Sequence, residues 1–233
     1  MKNSNHLDFA NSLKGKVALV TGGYGGIGYE CVNQLIVHGA RVIFTYVEGR
    51  KGESIAKKIV HENPNNLFAL PLDLQSYESI SNCIDNALNH WGKLDILINN
   101  AGVGSATVSS FAESNEAQDT AMININADGT LKMCQKYIEV MNENNYKNTL
   151  KIINLSSVGG GISIFPNFRL SDGMSKAAIA FLTKQLAAET TDKNIDVFAI
   201  CPGATNTKML SLIHISEPTR RYAISYAVFW LKK

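Results

Sequence analysis

The residues between 21 and 28 carry the plainest chemical signal in the chain: Thr21-Gly22-Gly23-Tyr24-Gly25-Gly26-Ile27-Gly28, followed at once by the amphipathic run Tyr29-Glu30-Cys31-Val32-Asn33-Gln34-Leu35. A glycine-rich turn that opens a helix can present backbone N–H groups to a pyrophosphate, and the helix dipole adds attraction for its negative charge. Glycine permits both the tight turn and the close approach of backbone to ligand. On this reading Thr21, Gly22, Tyr24, Gly26, Ile27 and Gly28 line a phosphate cradle, and the competing reading is a glycine turn that holds nothing. A second signal lies at Tyr46, the end of the second apolar run, where a carboxylate would grip a ribose diol. Tyr46 cannot accept hydrogen bonds as a carboxylate does, whereas Arg50 and Lys51 could meet a 2′-phosphate. The balance leans to NADP over NAD, although Glu48 lies nearby, and Arg50 and Lys51 could equally be the solvated start of a helix.

Such a cradle needs a strand before it and a helix after it. The chain supplies that alternation throughout, with short apolar runs at 17–20, 42–45, 67–70, 94–98, 152–155 and 197–200. Between them lie amphipathic stretches near 26–38, 51–61, 76–90, 117–145 and 173–191. Strands apolar on both faces, each followed by a crossover helix, predict a doubly wound parallel sheet covered on two sides. The class is α/β, a single Rossmann-type domain over 14–209 behind an N-terminal tail, 1–13.

Composition narrows the function. With 45% hydrophobic and 18% charged residues in 233, the chain can build a sizeable core and is not of disordered type. A net charge of +2, mixed along the sequence, argues against nucleic acid or an anionic membrane as partner. No apolar run approaches a bilayer span, and Met1 to Lys16 lacks the apolar core of a signal peptide. Cys31, Cys83, Cys134 and Cys201 are widely spaced, which speaks against a metal or disulfide framework and for reduced thiols in a cytoplasmic protein.

Asn99-Asn100-Ala101-Gly102 follows the fourth run and Ile153-Asn154-Leu155-Ser156-Ser157 ends the fifth. With the glycine loop, these motifs make the sequence resemble the classical short-chain dehydrogenase/reductases over about residues 14–209. The resemblance implies hydride transfer between a nicotinamide, of NAD or NADP, and a small alcohol or carbonyl substrate. It assigns adenine contact to Asp73 and Leu74, cofactor contacts to Asn99, Ala101 and Gly102, and a nicotinamide-side segment to Pro202, Gly203 and Thr207. It gives Ser157 the substrate oxygen, Asn126 a water in a proton relay, and Lys176 the nicotinamide ribose. The stretches near 117–145 and 173–191 match the family's usual oligomer surfaces, so the resemblance also implies a homo-oligomer, dimer or tetramer.

One family residue is missing. The tyrosine that moves the proton should lie four residues before Lys176, but Asp172 stands there, and no tyrosine occurs between Tyr146 and Tyr222. Asp172 could itself be the proton-transfer group, better suited as a base for alcohol oxidation than as an acid for carbonyl reduction. Alternatively Ser171 or Asp172 caps the helix and pairs with Lys176. In a third reading the fold binds nucleotide with little or no turnover.

The end of the chain departs from the pattern. Residues 210–233, Leu210 to Lys233, resemble a translated sequencing adapter rather than a final helix and strand, which implies a C-terminally truncated domain. This tail carries four basic residues against Glu217, a net of +3, leaving −1 of the +2 for the remainder. Without a continuation the sixth strand is expected to present a bare apolar edge, and the chain to be largely insoluble.

Overall fold

The computed structural model describes residues 11–144, 146–165 and 168–203, together with the backbone of 226–228. Six parallel strands form its centre: β1 (Val17–Val20), β2 (Arg41–Tyr46), β3 (Leu67–Pro71), β4 (Ile96–Asn99), β5 (Leu150–Leu155) and β6 (Ile195–Cys201). A seventh, β7 (Tyr226–Val228), is antiparallel to β6, and the spatial order is β3-β2-β1-β4-β5-β6-β7. The order reverses between β1 and β4, and it is outside the carboxyl ends of the strands at such a point that α/β sheets bind ligands.

The reason β1 reads as an unbroken apolar run is visible in its packing. All four of its residues are fully buried, Val17 and Leu19 facing one core and Ala18 and Val20 the other. The first core is closed by α3 (Tyr77–Trp91), α4 (Asn115–Ile123) and α5 (Gly129–Glu143), the second by α1 (Gly26–Val37) and α2 (Lys51–Glu62). A last helix, α6 (Leu170–Glu189), runs from the β5 loop back to β6. The doubly wound Rossmann-type architecture is therefore as expected from the alternation.

Two expectations need correction. The stretch near 117–145 is not one helix: α4 passes into a π turn at Asn124–Asp128 before α5 begins. Gly129 follows the turn because a Cβ there would lie 2.7 Å from Leu74 Cβ, so only glycine lets α5 pack against the β3 loop. The edge of β6 is also not wholly bare, since β7 pairs with it at Ala199, Ile200 and Cys201. Unpaired strand edges accept any β-prone partner, and Tyr226-Ala227-Val228 is such a segment.

At the opposite end of the sheet, the buried Asp95 pins the strand starts. It accepts from the Val17 N–H at 2.9 Å and the Tyr146 hydroxyl at 3.0 Å, and pairs with Lys16 and Lys93. Burial pushes its carboxyl up, but the Val17 N–H, Tyr146 and Lys93 outweigh this and hold it below the ordinary value.

Candidate functional site

The glycine turn sits where β1 hands over to α1. Gly22 and Gly26 adopt positive φ, +66° and +56°, which favours glycine. Gly28 is required for a different reason: a Cβ would fall 2.4 Å from both Asn100 Nδ2 and the Gly22 carbonyl oxygen. Around Gly25, by contrast, nothing lies within 4 Å of an added Cβ. Gly25 is also the N-cap of α1, with no side chain capping the helix and no acidic residue in its first turn. The first-turn N–H groups thus have no capping side chain or first-turn carboxylate to compete with an anion such as a pyrophosphate. Ile27 packs against the core, and Tyr24 lies flat over Gly52 in the first turn of α2, where a Cβ would meet its ring at 2.8 Å.

The residues expected around this cradle divide. The Thr21 hydroxyl accepts from the Asn100 and Ala101 N–H groups, so it braces the loop from within. Ala101 packs against Gly22. Asn99 does not face the crevice: it is buried, and its Nδ2 donates to Asn154 Oδ1 at 2.8 Å. Alternation along β4 turns its neighbour Asn100 to the loop instead, where Nδ2 donates to the Thr21 and Gly22 carbonyls. The doubled asparagine held that information, since only one of two successive strand residues can face each side. Asp73 is exposed and closes an Asx turn by accepting from the Gln75 N–H, whereas the Leu74 side chain is buried. Tyr46 ends β2, and burial, Glu53 and Glu48 raise its pKa against the opposing pull of Lys57. Arg50 donates to the Ser110 carbonyl at 3.1 Å and lies over the Phe111 ring at 4.0 Å, rather than turning back to Tyr46.

A second cluster forms over the ends of β4, β5 and β6. Asn126 stands at the centre of the π turn, fully buried, accepting from the Val103 N–H and donating to the Val103 carbonyl and the Ser175 hydroxyl. Gly102 leaves room for it, since a Cβ would meet Asn126 Oδ1 at 2.8 Å and Lys176 Nζ at 3.6 Å. Lys176 donates from Nζ to the Leu155 carbonyl, and burial lowers its pKa against the field of Asp172. The Ser157 loop is fastened to the same helix: Ser156 Oγ donates to the Lys176 carbonyl at 2.7 Å, and Gly160 presses on the Lys176 backbone. Pro202 accepts from the Val158 N–H, which brings the end of β6 beside Ser157. Gly203 follows it, and Thr207 lies outside the described residues.

Asp172 is buried, and burial raises its pKa more than Lys176, the Ser105 N–H and Arg169 lower it. The capping alternative is not what the structure shows. The N-cap of α6 is Arg169, without a side-chain cap, and Ser171 instead donates to Asp119. Nor do Asp172 and Lys176 join in a direct ion pair among the described residues; they act on one another through space. Ser105, Ser175 and Gly160 were not anticipated, because their roles arise from contacts between elements far apart in sequence.

Comparison with known proteins places this geometry. Residues 16–217 match the family described as short chain dehydrogenase. The chain is 31% identical over 209 residues to xanthoxin dehydrogenase of Arabidopsis thaliana, covering 89% of this chain and 71% of the relative. It is 32% identical over 214 residues to 3beta-hydroxysteroid dehydrogenase 1 of Eggerthella lenta, covering 91% and 79%. Among solved structures, the NADP active-site complex of Pseudomonas aeruginosa RhlG superposes with a TM-score of 0.75 at 27% identity, covering 90% of this chain and 79% of that one.

Proposed function

The chain belongs to the short-chain dehydrogenase family of NAD(P)-dependent oxidoreductases, and from that premise we propose that it interconverts a small alcohol and its carbonyl, with Asp172 in place of the missing tyrosine. The carrying observation is a buried carboxylate of raised proton affinity, one helical turn before Lys176 on the helix that packs against the Ser157 loop. A proton acceptor works best when its pKa approaches the working pH, so burial moves Asp172 in the useful direction. The favoured direction is alcohol oxidation. The Ser157 hydroxyl holds the substrate oxygen, Asp172 takes the hydroxyl proton, and Lys176 supplies the positive field that keeps Asp172 ionised between turnovers. A nicotinamide nucleotide held there would supply the hydride acceptor. Its pyrophosphate is assigned to Gly22, Gly26, Ile27 and Gly28, its adenosine to Asp73, the Leu74 backbone, Ala101 and Gly102, and its ribose to Lys176. NADP is the preferred form, through Arg50 once it leaves Ser110.

A second reading, nucleotide binding with little turnover, draws on the hydrogen bond that the Ser105 N–H gives to Asp172. That bond occupies part of the carboxylate and lowers its affinity for a substrate proton. Leu131 of α5 and Phe181 of α6 are exposed apolar residues and support a dimer or tetramer. The unpaired cysteines support a reducing, cytoplasmic setting. Fluorescence titration with NADPH and NADH, followed by a panel of alcohols and ketones, separates the readings. Binding with turnover supports the first, binding alone the second, and no binding of either nucleotide overturns both.

A further inference from the structure

Helix α6 begins in an unusual way. Its first N–H groups need partners, and Ser, Thr, Asp or Asn at the N-cap is the common solution. Here the N-cap is Arg169, whose side chain has no acceptor to offer. Its guanidinium reaches α4 instead: Nε donates to Asp119 Oδ1 at 2.6 Å, Nη1 to Gln118 Oε1 at 3.0 Å and Nη2 to the Asn115 carbonyl at 2.8 Å. Ser171 adds its hydroxyl to the same Asp119 oxygen. The Arg169 carbonyl in turn receives the Asp172 and Gly173 N–H groups, at 3.1 and 3.2 Å, so the anchored residue fixes the backbone from which Asp172 projects. The chain of bonds continues inward. Ser175 Oγ donates to the Asp172 carbonyl, and Asn126 Nδ2 donates to Ser175 Oγ.

We propose that Arg169 and Asp119 form a clamp that positions Asp172 and Lys176 for the reaction, by locking the first turn of α6 to α4. This rests on the oxidoreductase reading above. Stability is not its main product: Asp119 is 51% exposed, and ion pairs so placed add little to folding. What the guanidinium supplies is direction, three donors in a rigid plane on three acceptors of one helix. Lysine keeps the charge and loses that plane.

The test is Arg169→Lys in the full chain, with Asp119→Asn as its partner variant. The clamp predicts that kcat falls about tenfold in Arg169→Lys and less in Asp119→Asn. NADPH affinity by fluorescence stays within about twofold and Tm within about 2 °C. Hydrogen exchange gives a readout independent of turnover: the Asp172 and Gly173 amides lose about tenfold protection while amides after Lys176 keep theirs. Unchanged protection overturns the clamp whether or not the chain is an active enzyme. Loosened amides with unchanged kcat overturn its link to the chemistry. If the wild-type chain binds nucleotide without turnover, the oxidoreductase reading has failed, and with it the proposal that the clamp serves a reaction, whatever the amides show.

Discussion

At single residues, what a Cβ or a carboxylate meets decides the outcome of a substitution. Gly25 and Gly28 differ by three positions and have opposite surroundings. Gly28→Ala drives a methyl into Asn100 and the Gly22 carbonyl, and is expected to cost about 1–3 kcal/mol in stability together with nucleotide binding. Gly25→Ala meets no protein atom, so Tm should hold while nucleotide affinity falls, because the methyl enters the space of the phosphates. Thermal melts paired with NADPH titration distinguish the two. Asp172 gives a pH signature. As the base it must be ionised, so kcat for oxidation should rise with pH through one ionisation lying above the usual 3.8. The same raised pKa disfavours the folded state once the unfolded chain ionises, near pH 4. Asp172→Asn should therefore melt at or above the wild-type temperature at pH 7, with the advantage vanishing below about pH 4, where the unfolded carboxyl is also protonated.

At the scale of elements, the two ends of the sheet divide the work. The carboxyl ends of β1, β4, β5 and β6 carry the candidate site, while Asp95 at the other end ties β1 to β4. Tyr146→Phe removes one donor to a buried carboxylate and should cost about 1–3 kcal/mol by denaturant titration. Because Asp95 is held below its ordinary pKa, its stabilising effect is full above the unfolded value near pH 4 and is lost as pH falls through the folded one. Much of this level was legible in the sequence. Apolar runs alternating with helix-period stretches placed β1 to β6, because strands buried on both faces must be continuously apolar. The π turn was not legible, since Asn124 to Asp128 keep a helical pattern and only the packing of Asn126 between Val103 and Ser175 reveals the extra residue. Which of the two asparagines turns its side chain to the core was likewise not legible, because only the register of β4 sends Asn99 to Asn154 and Asn100 to the glycine loop.

At the scale of the whole molecule, the exposed apolar residues of α5 and α6 should be covered by a second copy. Sedimentation is expected to show a dimer or tetramer for the wild type, and Phe181→Glu to shift it toward monomer. A wild-type monomer would leave Leu131 and Phe181 without a role.

Asp172→Asn tests whether a buried aspartate does the work of the absent tyrosine. The two side chains have nearly the same shape, so NADPH affinity by fluorescence should be unchanged while alcohol turnover falls at least about a hundredfold, the usual contribution of a general base. Turnover surviving in Asp172→Asn with wild-type affinity would contradict the claim and place the base elsewhere.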